Sequence, residues 1–579
     1  MPPRIIPTAG FPPLAGKPLV QAPLIQGPPM QGLNAFSSRP QVLQPSPPAL
    51  SGMPPAAAPP LPGYGWMSPG LSQVLLAPPP PPASSAPFTS SVSAVNGLLA
   101  PSPVWKNQLS SMLRNNQAVI YALNIRTFGA HDKNGDHRID PWLGENGTFL
   151  SSIPRLPELA ALGVNTLHVL PINPVGQLKR LGEAGSLYAT ADYTRLNPEF
   201  DVPFNGLTLL QEARMFVDAA HRQGIHVMVD LPSCASMDLA LSNPELIARN
   251  TDGKPLTPTT WIDILMMENG PALINYWDRF FDLMINKVGV DGFRVDVARA
   301  RDVNFWQPFI NKYPQLQGEM GLLAESYTIE DDSPLENIPR DIPFDLLRAG
   351  FDTIYGNFHI FPSWTATDYM NYILENRRRM VESGVPDRSL LGSFLTHDDP
   401  SLMPRGGVPV YLLSAGLMCM QPYTVPYLLD GFTTGYEKPF DIFNWVERPT
   451  GQHPEIGLFT QQMLSLRRQY QDVVTRGLFI PIPLTTQGTD NNIIAFARYF
   501  QGKTLLVLAN KDVNARHQAS LNVPTLLPNQ PFQDLAPYYG QQSRIQPTAN
   551  QLDVDLSPGA FHVFALNTPL LPRVLPSYH

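Results

Sequence analysis

From about Trp105 onward the chain repeats one unit: a short apolar run, then a stretch with helical periodicity, then a turn. The runs Val119–Ile125, Asn165–Leu170, Ile225–Asp230, Gly292–Asp296, Gly321–Glu325, Phe351–Tyr355, Ser393–Thr396 and Tyr411–Leu417 read as eight strands. Between them, Leu156–Leu162 closed by Gly163, Leu207–Arg222 followed by Gly224, and Tyr276–Val288 read as helices. The two glycines stand where a left-handed C-cap is wanted. Strand–helix alternation pairs strands in parallel. Eight such units predict an α/β chain closed into a (β/α)8, or TIM, barrel.

The barrel is expected over 105–470. Past Arg468 the texture changes to short strands and turns: Asn492–Arg498, Lys503–Ala509, His517–Val523, Gln551–Leu556 and Ala560–Ala565. Gly502, Asn510 to Asp512 and Ser557-Pro-Gly559 separate them. This predicts a C-terminal antiparallel β-sandwich over 471–579.

Residues 1–104 are different again. They hold 27 of the 65 prolines, three basic residues (Arg4, Lys17, Arg39) and no acid. Proline lacks the N–H that helices and sheets need, so this Pro-rich, low-complexity segment is expected to be a disordered or polyproline II tail. As a functional element it would be a ligand for a proline-binding domain or a surface anchor; otherwise it is an extended linker, with no partner assigned.

Net charge excludes one class of partner. At −8 overall, the chain lacks the basic stripe of a nucleic-acid protein. Two cysteines, Cys234 and Cys419, cannot staple 579 residues. No run of about 18 apolar residues suggests a membrane span. The start, Met1-Pro-Pro-Arg-Ile-Ile-Pro7, makes a poor signal peptide, so a cytoplasmic location is expected.

In such a barrel chemistry sits where strands end and βα-loops begin. Asp230, Asp296, Glu325 and His397-Asp398 stand at those places, so strands four, five and seven would aim three carboxylates into one bowl. Like charges buried together are costly unless they are neutralised or used. Arg294, two residues before Asp296, points to the same face and can compensate them. Three acids with an arginine suit glycosidic bond cleavage: one acid protonates the leaving oxygen, one carboxylate attacks the anomeric carbon, and the third holds the sugar.

These segments resemble the α-amylase family, the family 13 glycoside hydrolases, over about 118–565. Gly292-Phe-Arg-Val-Asp296, then Glu325 after an apolar strand, then Phe394-Leu-Thr-His-Asp398 are similar to the family's second, third and fourth motifs. The resemblance implies Asp296 as nucleophile, Glu325 as general acid/base and Asp398 as transition-state stabiliser. It also implies Arg294 as the residue orienting the nucleophile, and His397 as a contact to sugar hydroxyls. Gly185-Ser-Leu-Tyr188 with Asp192-Tyr193 resembles the loop whose tyrosine stacks on the sugar, which gives that role to Tyr188. On this mechanism the Asp296 and Glu325 carboxyls should lie roughly 5–5.5 Å apart, with Glu325 protonated and its pKa raised.

The first motif departs from the family's Asp-x-x-x-Asn-His. Here it runs Asp230-Leu-Pro-Ser-Cys234-Ala235, keeping the acid and losing the Asn-His pair. Arg299-Ala300 replaces the common Lys-His after the nucleophile. The expected activity is retaining hydrolysis of α-glucan or malto-oligosaccharide bonds. The alternatives are maltosyl or glucan transfer by the same chemistry, and a barrel that binds carbohydrate without turnover. Cys234 reads as a small buried filler.

After the first strand, Asp132, Asn134, Asp136 and Asp140 occupy positions 1, 3, 5 and 9 of a calcium loop, with the Arg138 carbonyl at 7. His137 stands where an EF-hand has glycine, and Leu143 where it has glutamate. A structural Ca²⁺ is expected here, away from the chemistry.

Overall fold

Eight parallel strands close into a barrel in the computed structural model, which describes residues 105–258, 262–301, 303–329, 343–484, 491–522, 533–536, 543–548 and 551–566. All of these lie in one compact unit, Phe88–His579. The tail expected over 1–104 lies outside the described residues.

The strands are β1 (Ile120–Leu123), β2 (Thr166–Val169), β3 (His226–Leu231), β4 (Gly292–Val295), β5 (Gly321–Tyr327), β6 (Thr353–Tyr355), β7 (Ser389–Gly392) and β8 (Thr424–Leu429). Each pairs with the next, and β8 returns to β1 with Tyr427 opposite Ile120. Every residue of β1 to β4 is buried. That is why these strands read as continuous apolar runs: helices cover one face and the barrel interior the other.

Six of the eight expected strands are found in place. The seventh is Ser389–Gly392, and Ser393–Thr396 continues from it as loop. The eighth is Thr424–Leu429, because Tyr411–Leu417 belongs to a helix, Gly407–Met420. Val410 through Met420 are all buried there, so no polar face marks the helical period. This helix lies between the barrel and the C-terminal sheet. A Cβ at Gly416 would come within 2.6 Å of the Phe561 ring, so only glycine permits that approach.

Helix Leu156–Leu162 ends at Gly163, whose φ of 104° is left-handed. Helix Leu209–Arg222 opens with a capping box between Thr208 and Gln211. It buries Ala213, Phe216, Val217 and Ala220 on its inward stripe. The predicted helix at Tyr276–Val288 is α-helical from Pro271 to Phe281 and then widens to a π-helix over Asp282–Val288.

Two antiparallel sheets follow the barrel. One contains Leu478–Pro481, Ile493–Phe500, Lys503–Asn510, Phe561–Leu566 and Gln533–Asp534; the other contains His517–Asn522, Gln551–Leu556 and Arg544–Thr548. Leu506, Leu508, Leu552, Val554 and Phe564 pack between them.

Candidate active site

The C-terminal ends of β3, β4 and β5 gather around one buried guanidinium. In the ladder Arg294 on β4 stands opposite Asp230 on β3. Its Nη1 donates to Asp230 Oδ1 at 2.9 Å and to Asp296 Oδ1 at 2.8 Å. Its Nη2 lies 3.0 Å from Glu325 Oε2, an ionic contact off hydrogen-bond alignment. Arg294 Nε donates to the Tyr355 hydroxyl on β6 at 3.2 Å. One cation thus touches three of the predicted acids.

Asp230 is wholly buried. Burial raises its carboxyl, but the Arg294 charge and a hydrogen bond from His168 outweigh that and draw it down to about 2. His168 Nε2 lies 3.1 Å from Asp230 Oδ2, and its Nδ1 lies 3.1 Å from the Tyr427 hydroxyl. Burial lowers the His168 pKa and keeps it neutral, so Nε2–H donates to Asp230 and Nδ1 accepts from Tyr427. On the other side, the Tyr188 hydroxyl donates to Asp230 Oδ2 at 2.8 Å and sits 2.8 Å from His397 Nε2. The Tyr188 and His397 rings are stacked, 5.4 Å apart and 4° from parallel.

Asp296 and Glu325 face each other and share a hydrogen bond between their carboxyls. They are therefore closer than the separation expected for a site holding substrate. Burial and the Glu325 charge raise Asp296 well above the ordinary range. Burial also raises Glu325, but Arg294 and the Val297 N–H, donating to Oε2 at 2.7 Å, bring it below its ordinary value. This corrects the expectation of a raised Glu325: the donors around it favour its charged form. Val297 presents that N–H from a left-handed conformation, φ 42° and ψ 45°, which is rare for a β-branched residue.

Asp398 lies beyond β7, on the loop, and its side chain is 44% exposed, with His397 Nε2 3.5 Å from Oδ2. The surrounding protein mass raises its carboxyl, and the Glu325 and Asp399 charges add to that.

Cys234 is buried against Met266, 3.7 Å between sulfurs, and burial raises its thiol pKa. The short hairpin formed by Cys234–Ser236 and Ile264–Met266 supplies this contact. His168, Tyr355, Tyr427 and the Val297 amide were not singled out from sequence. The first could have been, as a histidine inside an otherwise apolar strand.

The loop after β1 is tied by its own side chains. Asp132 accepts from the Gly135 and His137 amides, Asn134 from Asp136, and Asp136 from Arg138. Asp140 accepts from Trp142, and the Asp140 amide donates to Glu145 Oε2 at 2.9 Å. The donors are hard oxygens of the kind calcium takes. Among the described residues, however, no group of three or more His, Cys, Asp or Glu side chains converges as for a metal.

The site is thus a set of buried carboxylates converging around Arg294 at the C-terminal ends of the strands of a closed (β/α)8 barrel. No family model matches the chain. It is 23% identical over 432 residues to a cyclomaltodextrinase of Thermoanaerobacter pseudethanolicus, covering 68% of this chain and 70% of that one. It is 29% identical over 199 residues to an α-1,4-glucan:maltose-1-phosphate maltosyltransferase of Myxococcus xanthus, where the match spans 32% of this chain and 30% of the relative. In structure it aligns with a maltogenic α-amylase from Thermotoga neapolitana, with TM-score 0.59, 19% identity, and coverage of 79% of this chain and 100% of that one. The chain is thus similar in sequence to a cyclomaltodextrinase and to maltosyltransferases, and in fold to α-amylases. No helix among the described residues is long and apolar enough to cross a membrane.

Proposed function

We propose that this protein is a retaining α-glycoside hydrolase acting on α-glucans or malto-oligosaccharides. The observation that carries the reading is the contact of Asp296 and Glu325, from neighbouring strands, around Arg294. Asp296 is the nucleophile, Glu325 the acid/base and Asp398 the stabiliser of the transition state. Arg294 and Asp230 fix the nucleophile's surroundings, while Tyr188 and His397 contact the sugar.

For attack Asp296 must be ionised and Glu325 protonated, and the hydrogen bond between the carboxyls gives a proton a path between them. A sugar entering between them would part the pair to roughly 5–5.5 Å. Asp296 is then left ionised against Arg294 and facing the anomeric carbon. Its oxygen forms a bond to that carbon as the glycosidic C–O bond breaks and Glu325 protonates the departing oxygen. Glu325, now ionised, takes a proton from water, the water oxygen attacks the same carbon, and Asp296 is released.

A second reading, transfer to a sugar acceptor, draws support from the maltosyltransferase relatives and from the altered first motif. Ala189, Cys234, Ile264, Met266 and Ala300 form an apolar cluster with Val297, next to the nucleophile. Incubation with maltohexaose and sizing of the products tests both. Shorter sugars alone mean hydrolysis, longer ones as well mean transfer, and no product refutes both in favour of a binding barrel. Asp296→Asn should abolish turnover with the fold retained; full activity in that variant would remove Asp296 as nucleophile. We also propose that the Asp132–Asp140 loop takes one structural Ca²⁺, supported by its alternating oxygen donors.

A further inference from the structure

The loop that carries Tyr188 is bonded to its neighbours on both flanks. On one flank the amides of Ala184 and Gly185 donate to the Phe443 carbonyl at 2.8 and 3.1 Å. The Glu183 amide donates to Asn444 Oδ1 at 2.9 Å. Phe443 and Asn444 stand on the long loop after β8. Beneath them lies the fully buried Arg126, just past β1. Its Nη1 donates to the Gly185 and Ile442 carbonyls, each at 2.9 Å, and so ties both loops to a third. On the other flank the Ser236 amide of the short hairpin donates to the Thr190 carbonyl at 2.9 Å.

The approach at the first flank depends on glycine. Gly182 has φ 66°, and a Cβ there would lie 2.6 Å from the Phe443 carbonyl oxygen. Every residue from 184 to 190 is buried. Parting the two loops would strand the buried amides of Ala184 and Gly185 without acceptors, which is costly. The opposite side of the bowl is more open: the Glu325 side chain is 17% exposed and that of Asp398 is 44% exposed.

This asymmetry has a direction along the substrate. Glu325 protonates the departing oxygen, so the leaving part of the chain lies on the Glu325 side. The neighbours β5, β4 and β3 carry Glu325, the turn to Asp296, and Asp230, and the next strand, β2, leads to the Tyr188 loop. The sugar under attack therefore extends from Asp296 toward Tyr188, whose hydroxyl meets Asp230. Any further sugars on its non-reducing side would run into the joined loops.

We propose, on the roles given above to Asp296 and Glu325, that the joined β2 and β8 loops close the donor side of the site. The enzyme then takes the non-reducing terminus of an α-glucan chain and cuts inward from that end, leaving interior bonds untouched.

The test incubates the full-length protein with three sugars and sizes the products. They are maltohexaose, maltohexaose closed by a 4,6-O-ethylidene group on its non-reducing terminus, and α-cyclodextrin, the ring of the same length with no terminus. Maltohexaose should be cut. The other two should be cut roughly 10–200-fold more slowly, the discrimination that even one added methylene meets in a filled pocket. Gly182→Ala drives a methyl between the loops and should raise the rate on the ethylidene sugar relative to maltohexaose. Asn444→Ala, which removes the acceptor of the Glu183 amide without backbone strain, should move the ratio the same way and serves if the first variant does not fold. Cutting of the blocked or the cyclic sugar at a rate comparable to maltohexaose would overturn the closed donor side and leave the hydrolase reading standing. A ratio unmoved in the folded variants would likewise overturn the part assigned to the joined loops. No cutting of any of the three would remove the hydrolase reading and the closed donor side together.

Discussion

Replacing Arg294 by methionine removes the cation from the carboxylate cluster while keeping an unbranched side chain in the space. Arg294 is fully buried and lies 2.9 Å from Asp230, 2.8 Å from Asp296 and 3.0 Å from Glu325. Asp230 gives the scale of its effect. Against burial, Arg294 and His168 bring that carboxyl from an ordinary 3.8 to about 2. At about 1.4 kcal/mol per pH unit, the depression contributes about 2.4 kcal/mol to stability. The folded value lies below the unfolded one, so the contribution is complete above about pH 4 and is lost as pH falls through 2. Without Arg294, burial prevails and the folded value rises above the unfolded one. Ionising Asp230 in the folded state then costs stability, increasingly so as pH rises. The variant should therefore be less stable by about 2.4 kcal/mol at pH 5, and by more at pH 8. At roughly 2 °C per kcal/mol for a large domain, that is a Tm about 5 °C lower at pH 5 with a wider gap at pH 8. Scanning calorimetry of both proteins across pH 5–8 measures it. A gap independent of pH, or one that narrows as pH rises, would refute charge compensation and leave Arg294 a packing residue.

Tyr188→Phe removes the hydroxyl between Asp230 and His397; a lost hydrogen bond to a charged group costs about 1.5–3 kcal/mol, which should lower Tm by about 3–6 °C and also lower kcat/KM, and unchanged kinetics would take Tyr188 out of the site. Gly416→Ala places a methyl against the Phe561 ring and should cost about 1–3 kcal/mol by overpacking; a melting curve identical to the wild type would count against the tight helix–sheet approach. Chelation with EDTA should lower Tm and added Ca²⁺ should restore it, whereas an unmoved Tm would count against calcium in the Asp132 loop.

Much of the barrel was legible because its strands are short, buried and separated by amphipathic helices with recognisable ends, as at Gly163 and Thr208. The pattern failed where an element is buried on every side. Helix Gly407–Met420 has no solvent face to reveal its period, so it reads like the strand that follows it. The acids were visible for a similar reason: Asp296 and Glu325 end apolar runs, and Arg294 shares the face of Asp296. What supports them was not. Tyr355 and Tyr427 come from β6 and β8, and their relation to Arg294 and His168 exists only once the cylinder closes.

The electrostatic balance between the two carboxyls was illegible for a different reason. Arg294 Nη2 and the Val297 N–H, both from β4 and the turn that ends it, lower the Glu325 carboxyl. Nothing in Arg-Val-Asp-Val announces that Val297 turns left-handed, a conformation costing about 1–3 kcal/mol unless the surroundings enforce it. The strand that leads into Asp296 therefore also biases the charge of Glu325. While the two carboxyls touch, one proton suffices for both, and two buried like charges are avoided. Strain at Val297 and the contact of the two carboxyls are thus linked: the left-handed turn aims the N–H that favours the charged form of Glu325, beside an Asp296 whose carboxyl is raised by burial and by that charge.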